Sequence, residues 1–135
     1  MANTALPENT SNSVGFVGIT KTTDEEERLL VLLGKTIAAA GKPLNCVAAP
    51  GAVAAVRVGM RAEGGTVNLL DKNTITDSAH TFVYADERLM TRLRKAYPLI
   101  DTDRRVILMR TPDDLREWLD AARQVLDERK IKFPV

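Results

Sequence analysis

The stretch AAPGAVAAVRVGMRAEGG, Ala48–Gly65, decides how the chain folds. A short apolar run ends at Pro50-Gly51, small residues follow at helical spacing, and a Gly-Gly pair closes the segment. That order reads as a strand, a tight turn and a helix whose first turn begins at the loop. Such a turn presents the backbone N–H groups of Gly51, Ala52 and Val53 at a helix N-terminus, where partial positive charge attracts anions. Gly51 and Ala52 also let a ligand approach the backbone closely. The same spacing equally fits a plain strand-to-helix connection packed with small residues.

On both sides of this stretch, strand-like and helix-like segments alternate. VGFVGIT (Val14–Thr20) is β-branched and glycine-punctuated, as a buried first strand should be. In the helix that follows, Thr23 and Glu26 have capping-box spacing, the first turn is acidic, and Gly41 is placed to terminate it. Pro43–Ala49 reads as the second strand, Gly51–Glu63 as the second helix and Gly65–Asp71 as the third strand. His80–Asp86 is the fourth strand, Glu87–Tyr97 a helix stopped by Pro98, and Arg105–Arg110 the fifth strand. In the last helix Thr111 caps, Pro112 takes the first position and Asp114 the capping-box position; Leu115, Trp118, Leu119, Ala122, Val125 and Leu126 share one face. Between Asp71 and His80 the segment KNTITDSA is too short for a crossover helix and reads as a loop or a single turn.

Five strands alternating with helices predict a three-layer α/β/α Rossmann-like sandwich around a five-stranded, mostly parallel sheet covered on both faces. Residues 1–13 read as a flexible tail and 14–135 as one domain. The length of 135 residues, the 44% hydrophobic and 27% charged shares and the net charge of +1 are those of an ordinary soluble domain. With positive and negative charges interspersed, the balance argues against nucleic acid as the main partner. No apolar run reaches the ~20 residues that span a bilayer, and the polar N-terminus lacks the pattern of a secretory signal. The single cysteine, Cys46, fits a cytoplasmic protein and reads as a buried, inert strand residue.

In an open parallel sheet, ligands sit beyond the carboxyl ends of the strands where the strand order reverses. The candidate loops are therefore Gly18–Thr23, Ala49–Ala52, Asp71–Asn73 and Tyr84–Glu87. The first offers Gly18, Thr20, Lys21 and Thr22, whose ammonium and hydroxyls suit a phosphate or a carboxylate, although Thr23 as a cap and Lys21 in solvent explain it as well. It matches neither GxxxxGK[ST] nor GxGxxG. Pro50, Gly51, Ala52 and Val53 form the phosphate-turn candidate. Arg57, two turns into the second helix, either reaches round to the sheet edge or belongs to a solvated face. Asp71 and Lys72 would face a sugar or base. Asp86 and Glu87 could accept from a ribose hydroxyl, act as acid and base, or cap the next helix. His80 and Cys46 are the only residues of their types, so neither a metal cluster nor a cofactor requirement emerges, and a Ser–His–Asp triad lacks its nucleophile elbow. Phe82 and Tyr84 read as core.

The run GFVGIT…EEERLLVLLGKTIAAAGKPLNCVAAPGAVAAVRVGMRAEGGTVNLL, over about residues 14–71, resembles the SLOG superfamily of Rossmann-like domains. That group includes the Lonely Guy phosphoribohydrolases, the lysine-decarboxylase-like proteins, the molybdenum cofactor carrier proteins and DNA-processing protein A. The resemblance implies that Gly51 matches a turn glycine near a nucleotide phosphate and that Gly15 and Gly18 match the first-strand glycines. The second half departs from the enzymes. Where Lonely Guy proteins carry a PGGxGTxxE loop, this chain reads YADERLMTRL, and Glu87 alone compares with their catalytic acid. The expectation is a module that binds or senses a nucleotide or nucleotide-derived ligand without catalysis. The alternatives are a divergent phosphoribohydrolase or N-glycosidase using Glu87 or Asp86 with Arg57 on the phosphate, and an interaction domain with no ligand. The resemblance, together with the small residues Ala52, Ala54, Ala55 and Gly59 along the second helix, points to a homodimer.

Overall fold

The computed structural model describes residues 13–71 and 78–120. Its elements are β1 (Val14–Gly18), α1 (Asp24–Ala39), β2 (Leu44–Val47), α2 (Ala52–Ala62), β3 (Val67–Leu70), β4 (His80–Tyr84), α3 (Glu87–Ala96) and β5 (Val106–Met109). A final helix, α4, begins at Pro112 and is described as far as residue 120. The five strands form one sheet in the order β3-β2-β1-β4-β5, and every pairing is parallel. This is the expected Rossmann-like α/β fold. The strand order reverses at β1, between β2 and β4, so the crevice at the carboxyl ends of β1 and β4 is the switch point.

Local signals place the helices. Thr23 and Glu26 form a reciprocal capping box at α1, Gly41 follows its C-cap with φ 75°, and Thr111 and Asp114 cap α4 in the same reciprocal way. The strands are shorter than the sequence suggests. β1 ends at Gly18 because the next carbonyl, that of Ile19, turns away from the sheet to accept the Ala52 N–H at 2.9 Å. β3, expected as a buried strand, stands at the edge of the described sheet with Asn68 and Leu69 exposed; among the described strands β2 alone pairs with it. Of the expected tail, residues 1–12 lie outside the described residues. Ser13 belongs to the fold: it is buried, its carbonyl accepts the Ala79 N–H and its hydroxyl accepts from Asn45. The loop expected over KNTITDSA falls mainly on residues 72–77, outside the described residues, as do Ala122, Val125 and Leu126 of the last helix.

Two apolar clusters lie on the two faces of the sheet. Phe16, Leu44, Cys46, Phe82 and Tyr84 pack with Leu30 and Leu33 of α1, Val53 and Val56 of α2, and Leu115 and Leu119 of α4. Trp118 stands edge-on to Phe82, with ring centroids 4.4 Å apart. On the other face Val17 and Val83 pack with Met90 and Leu93 of α3 and with Ile100. Among the described residues α3 is the one helix on that face, and beside it the sheet carries Asn45 and Asn68, joined by a 3.0 Å hydrogen bond.

The small residues of α2 are spent inside this fold. Ala52, Ala55 and Gly59 are buried, and a Cβ on Gly59 would stand 2.0 Å from the Val31 carbonyl oxygen of α1. Gly34 of α1 meets α2 in the same way. The stripe that suggested a helix–helix dimer contact is thus the α1–α2 contact, because two glycines let these backbones touch.

Candidate functional site

Beyond the carboxyl ends of β1 and β4 lies an open cleft of about 350 Å³. Gly18, Ile19, Thr20 and Lys21 form one wall, and Asp86, Arg88, Leu89 and Arg92 the other. The first wall is the β1–α1 loop, which leaves the central strand of the sheet. The second is the start of α3, which Asp86 caps: its Oδ1 accepts the Leu89 N–H at 2.8 Å. Arg88 and Arg92 are one turn apart on α3, so both reach the same wall.

Lys21, Arg88 and Arg92 face the cleft without an ion pair or a hydrogen bond to the rest of the described protein. Other arginines are engaged: Arg94 pairs with Asp101, Arg105 with Asp103, Arg110 with Glu87, and Arg116 with Glu25 and Asp113. Among the described residues Asp86 is the one carboxylate lining the cleft, and its Oδ1 is taken by the cap.

Of the residues singled out from sequence, Gly18, Thr20, Lys21 and Asp86 line the cleft, Gly51 and Ala52 pack directly against that loop, and the others lie elsewhere. Pro50, Gly51, Ala52 and Val53 lie beneath the first wall and do not line the cleft. Gly51 has φ 76°, and a Cβ there would stand 2.3 Å from the Thr20 carbonyl oxygen. Its glycine is required by the close approach of two loops. Ala52 and Val53 are buried. Thr22 is half-buried and does not line the cleft. Arg57 is half-buried, its Nε has no hydrogen-bond partner among the described residues, and with Arg61 it is close enough to Cys46 to act on the thiol. Burial outweighs both arginines and pushes the Cys46 thiol up. Asp71 follows β3 at the sheet edge, with β2 between it and β1, and Lys72 lies outside the described residues. Glu87 is exposed, and its Oε1 accepts from the Arg110 guanidinium at 3.0 Å.

Arg88, Leu89 and Arg92 were missed in the sequence. The available signal was a basic i,i+4 pair in the helix after β4, at the switch point of the sheet. At the same end, Glu26 is legible in the sequence as a capping residue, but its link to Tyr84 is not. Its carboxylate accepts the Thr23 N–H at 2.9 Å and, through its other oxygen, the hydroxyl of buried Tyr84. Burial, the hydrogen bond to Glu26 and its charge, and Asp114 hold the Tyr84 phenol well above the ordinary tyrosine range.

Among the described residues no three or more His, Cys, Asp or Glu side chains are grouped to hold a metal ion, and no helix is long and apolar enough to cross a membrane.

No protein-family model matches the chain, and no curated protein does. Among solved structures, the chain is similar to the molybdenum cofactor carrier protein of Chlamydomonas reinhardtii, at 19% identity and a TM-score of 0.57, over 86% of this chain and 87% of that one. At that identity the similarity shows the Rossmann-like α/β fold.

Proposed function

We propose that this protein binds a nucleotide or nucleotide-derived small molecule in the cleft at the β1/β4 switch point, as a SLOG-type domain that holds its ligand without transforming it. The observation that carries the reading is the cleft itself, where Lys21, Arg88 and Arg92, unpaired among the described residues, surround about 350 Å³ at the place where open parallel sheets take ligands. The solved neighbour is by name a carrier of a cofactor, which agrees with holding rather than catalysis. The carboxylates offered for catalysis are both engaged, Asp86 by the α3 cap and Glu87 by Arg110. That favours binding over the phosphoribohydrolase reading, in which one of them must exchange a proton with the substrate. A cytoplasmic homodimer belongs to the same reading through the superfamily resemblance, with a contact other than the α2 stripe.

Calorimetric titration with AMP, ADP-ribose, NAD, cyclic nucleotides and ribose 5-phosphate tests the reading. Saturable binding that weakens in Lys21→Ala is expected, with the ligand recovered intact after incubation. Silence across the panel would overturn ligand binding, and release of free base would overturn the absence of catalysis.

A further inference from the structure

We infer that the cleft takes a dianionic phosphate monoester end, held by the guanidinium groups of Arg88 and Arg92 with the Lys21 ammonium opposite, and not by the first turn of α2. This rests on the reading of the cleft as a ligand site and adds the chemical class of the group bound there.

Three helix N-termini lie near the switch point, and none is open to an anion. At α1 the Thr23 hydroxyl accepts the Glu26 N–H, and the first turn carries Asp24, Glu25, Glu26 and Glu27. At α2 the Ala52 N–H is already donated to the Ile19 carbonyl, and the carbonyl oxygens of Ile19 and Thr20 would lie 2.7 and 2.3 Å from a Cβ on Gly51. An arriving phosphate would meet two oxygens carrying partial negative charge. At α3 the Asp86 carboxylate has taken the capping position and donates its own negative charge there. A phosphate in the cleft must therefore be held by side chains.

Those side chains are present in the right number. Arg88 and Arg92, four residues apart on one helix face, repel each other in the absence of an anion. A phosphate between them accepts from both planar guanidinium groups, which suit phosphate geometry in a way an ammonium does not. Lys21 closes the arrangement from the β1–α1 loop as a point charge. Three cations against one carboxylate match a group carrying two negative charges. A phosphodiester, a cyclic nucleotide or a carboxylate carries one.

The test uses the whole chain and a matched panel: the four 5′-nucleoside monophosphates, their nucleosides and the 3′,5′-cyclic monophosphates, titrated into wild type and Arg88→Gln/Arg92→Gln. Both arginines are exposed and have no ion pair or hydrogen-bond partner among the described residues, so melting curves of the variant should match wild type. At least one monophosphate should bind wild type roughly tenfold or more tightly than its nucleoside and its cyclic form, as charge-assisted hydrogen bonds permit. The double variant should erase that preference, and Arg88→Lys/Arg92→Lys should restore part of it. Equal binding of monophosphate and nucleoside to wild type, or an unchanged preference in the double variant, would overturn the inference and leave the cleft a ligand site. Absence of binding by every member of the panel would overturn the reading of the cleft as well.

Discussion

The hydroxyl of Tyr84, buried at the end of β4, donates to the carboxylate of Glu26 in the first turn of α1. The same carboxylate accepts the Thr23 N–H, so one side chain ties the capping of α1 to the carboxyl end of the sheet. The loop that leads into this cap supplies Thr20 and Lys21 to the cleft. Replacing Tyr84 with Phe removes the donor and keeps the ring. It should cost about 1.5–3 kcal/mol, the range for a hydrogen bond to a charged group, read as a lower denaturation midpoint with an unchanged denaturant slope.

Alkaline titration reports on the same pair. The chain has two tyrosines, and both phenols are held above the ordinary range, Tyr84 chiefly by burial and Tyr97 chiefly by its hydrogen bond to Asp103. A raised value means that the folded state keeps a proton the unfolded chain releases near pH ~10. Stability is therefore full below that pH and falls above it. Phenolate absorbance should rise together with loss of circular dichroism; a free titration near pH ~10 in the folded protein would contradict the arrangement.

Acid acts through Asp103. Its carboxyl is held far below the ordinary carboxylate range, first by the Arg105 side chain, then by the Tyr97 hydroxyl and the Arg105 backbone N–H. A lowered value gives stability that is present above the unfolded value and lost as pH falls through the folded one. In Asp103→Asn, melting temperature should be lower at neutral pH and less dependent on pH below about 4, measured by thermal scans across that range.

The α1–α2 crossing should tolerate no side chain. A Cβ on Gly34 would stand 2.1 Å from the Val56 carbonyl oxygen, and one on Gly59 2.0 Å from that of Val31. Gly34→Ala and Gly59→Ala should each destabilise by about 1–3 kcal/mol or more, the range for overpacked cores. They should combine non-additively, because either one already separates the helices. Chemical denaturation of the single and double variants measures both points.

Asp86 separates capping from ligand contact. Asn caps nearly as well, so Asp86→Asn should keep the fold, whereas Asp86→Ala should lose about 1 kcal/mol. If the carboxylate only caps, removing its charge from a cleft that takes phosphate should tighten monophosphate binding in the Asn variant. Weaker binding by calorimetry would show that Asp86 touches the ligand.

What the sequence disclosed follows from how local each cause is. The capping boxes of Thr23–Glu26 and Thr111–Asp114 need only three residues, and both were readable. The strand–turn–helix at Gly51 was readable too, but its cause was not, since the Thr20 backbone that forbids a side chain there lies 31 positions earlier. The small-residue face of α2 was visible as a face. That its partner is Gly34 of the same chain depends on how two helices cross. Arg88 and Arg92 looked like any exposed basic residues, because their meaning depends on which side of α3 meets the β1–α1 loop.

The position of β1 in the sheet has a consequence for how the chain is made. β1 is the first of the described strands in sequence and central in space, and its register with β4 joins Val14 to His80. During synthesis β1, α1, β2, α2 and β3 leave the ribosome before β4 exists. For that interval β1 has a partner on one side and an open row of backbone donors and acceptors on the other. Such an edge on an apolar strand invites pairing with another nascent chain, and the long closure between β1 and β4 makes its covering a late, slow event. The yield of folded protein should therefore depend on how quickly residues 80–84 follow residues 14–18 out of the ribosome.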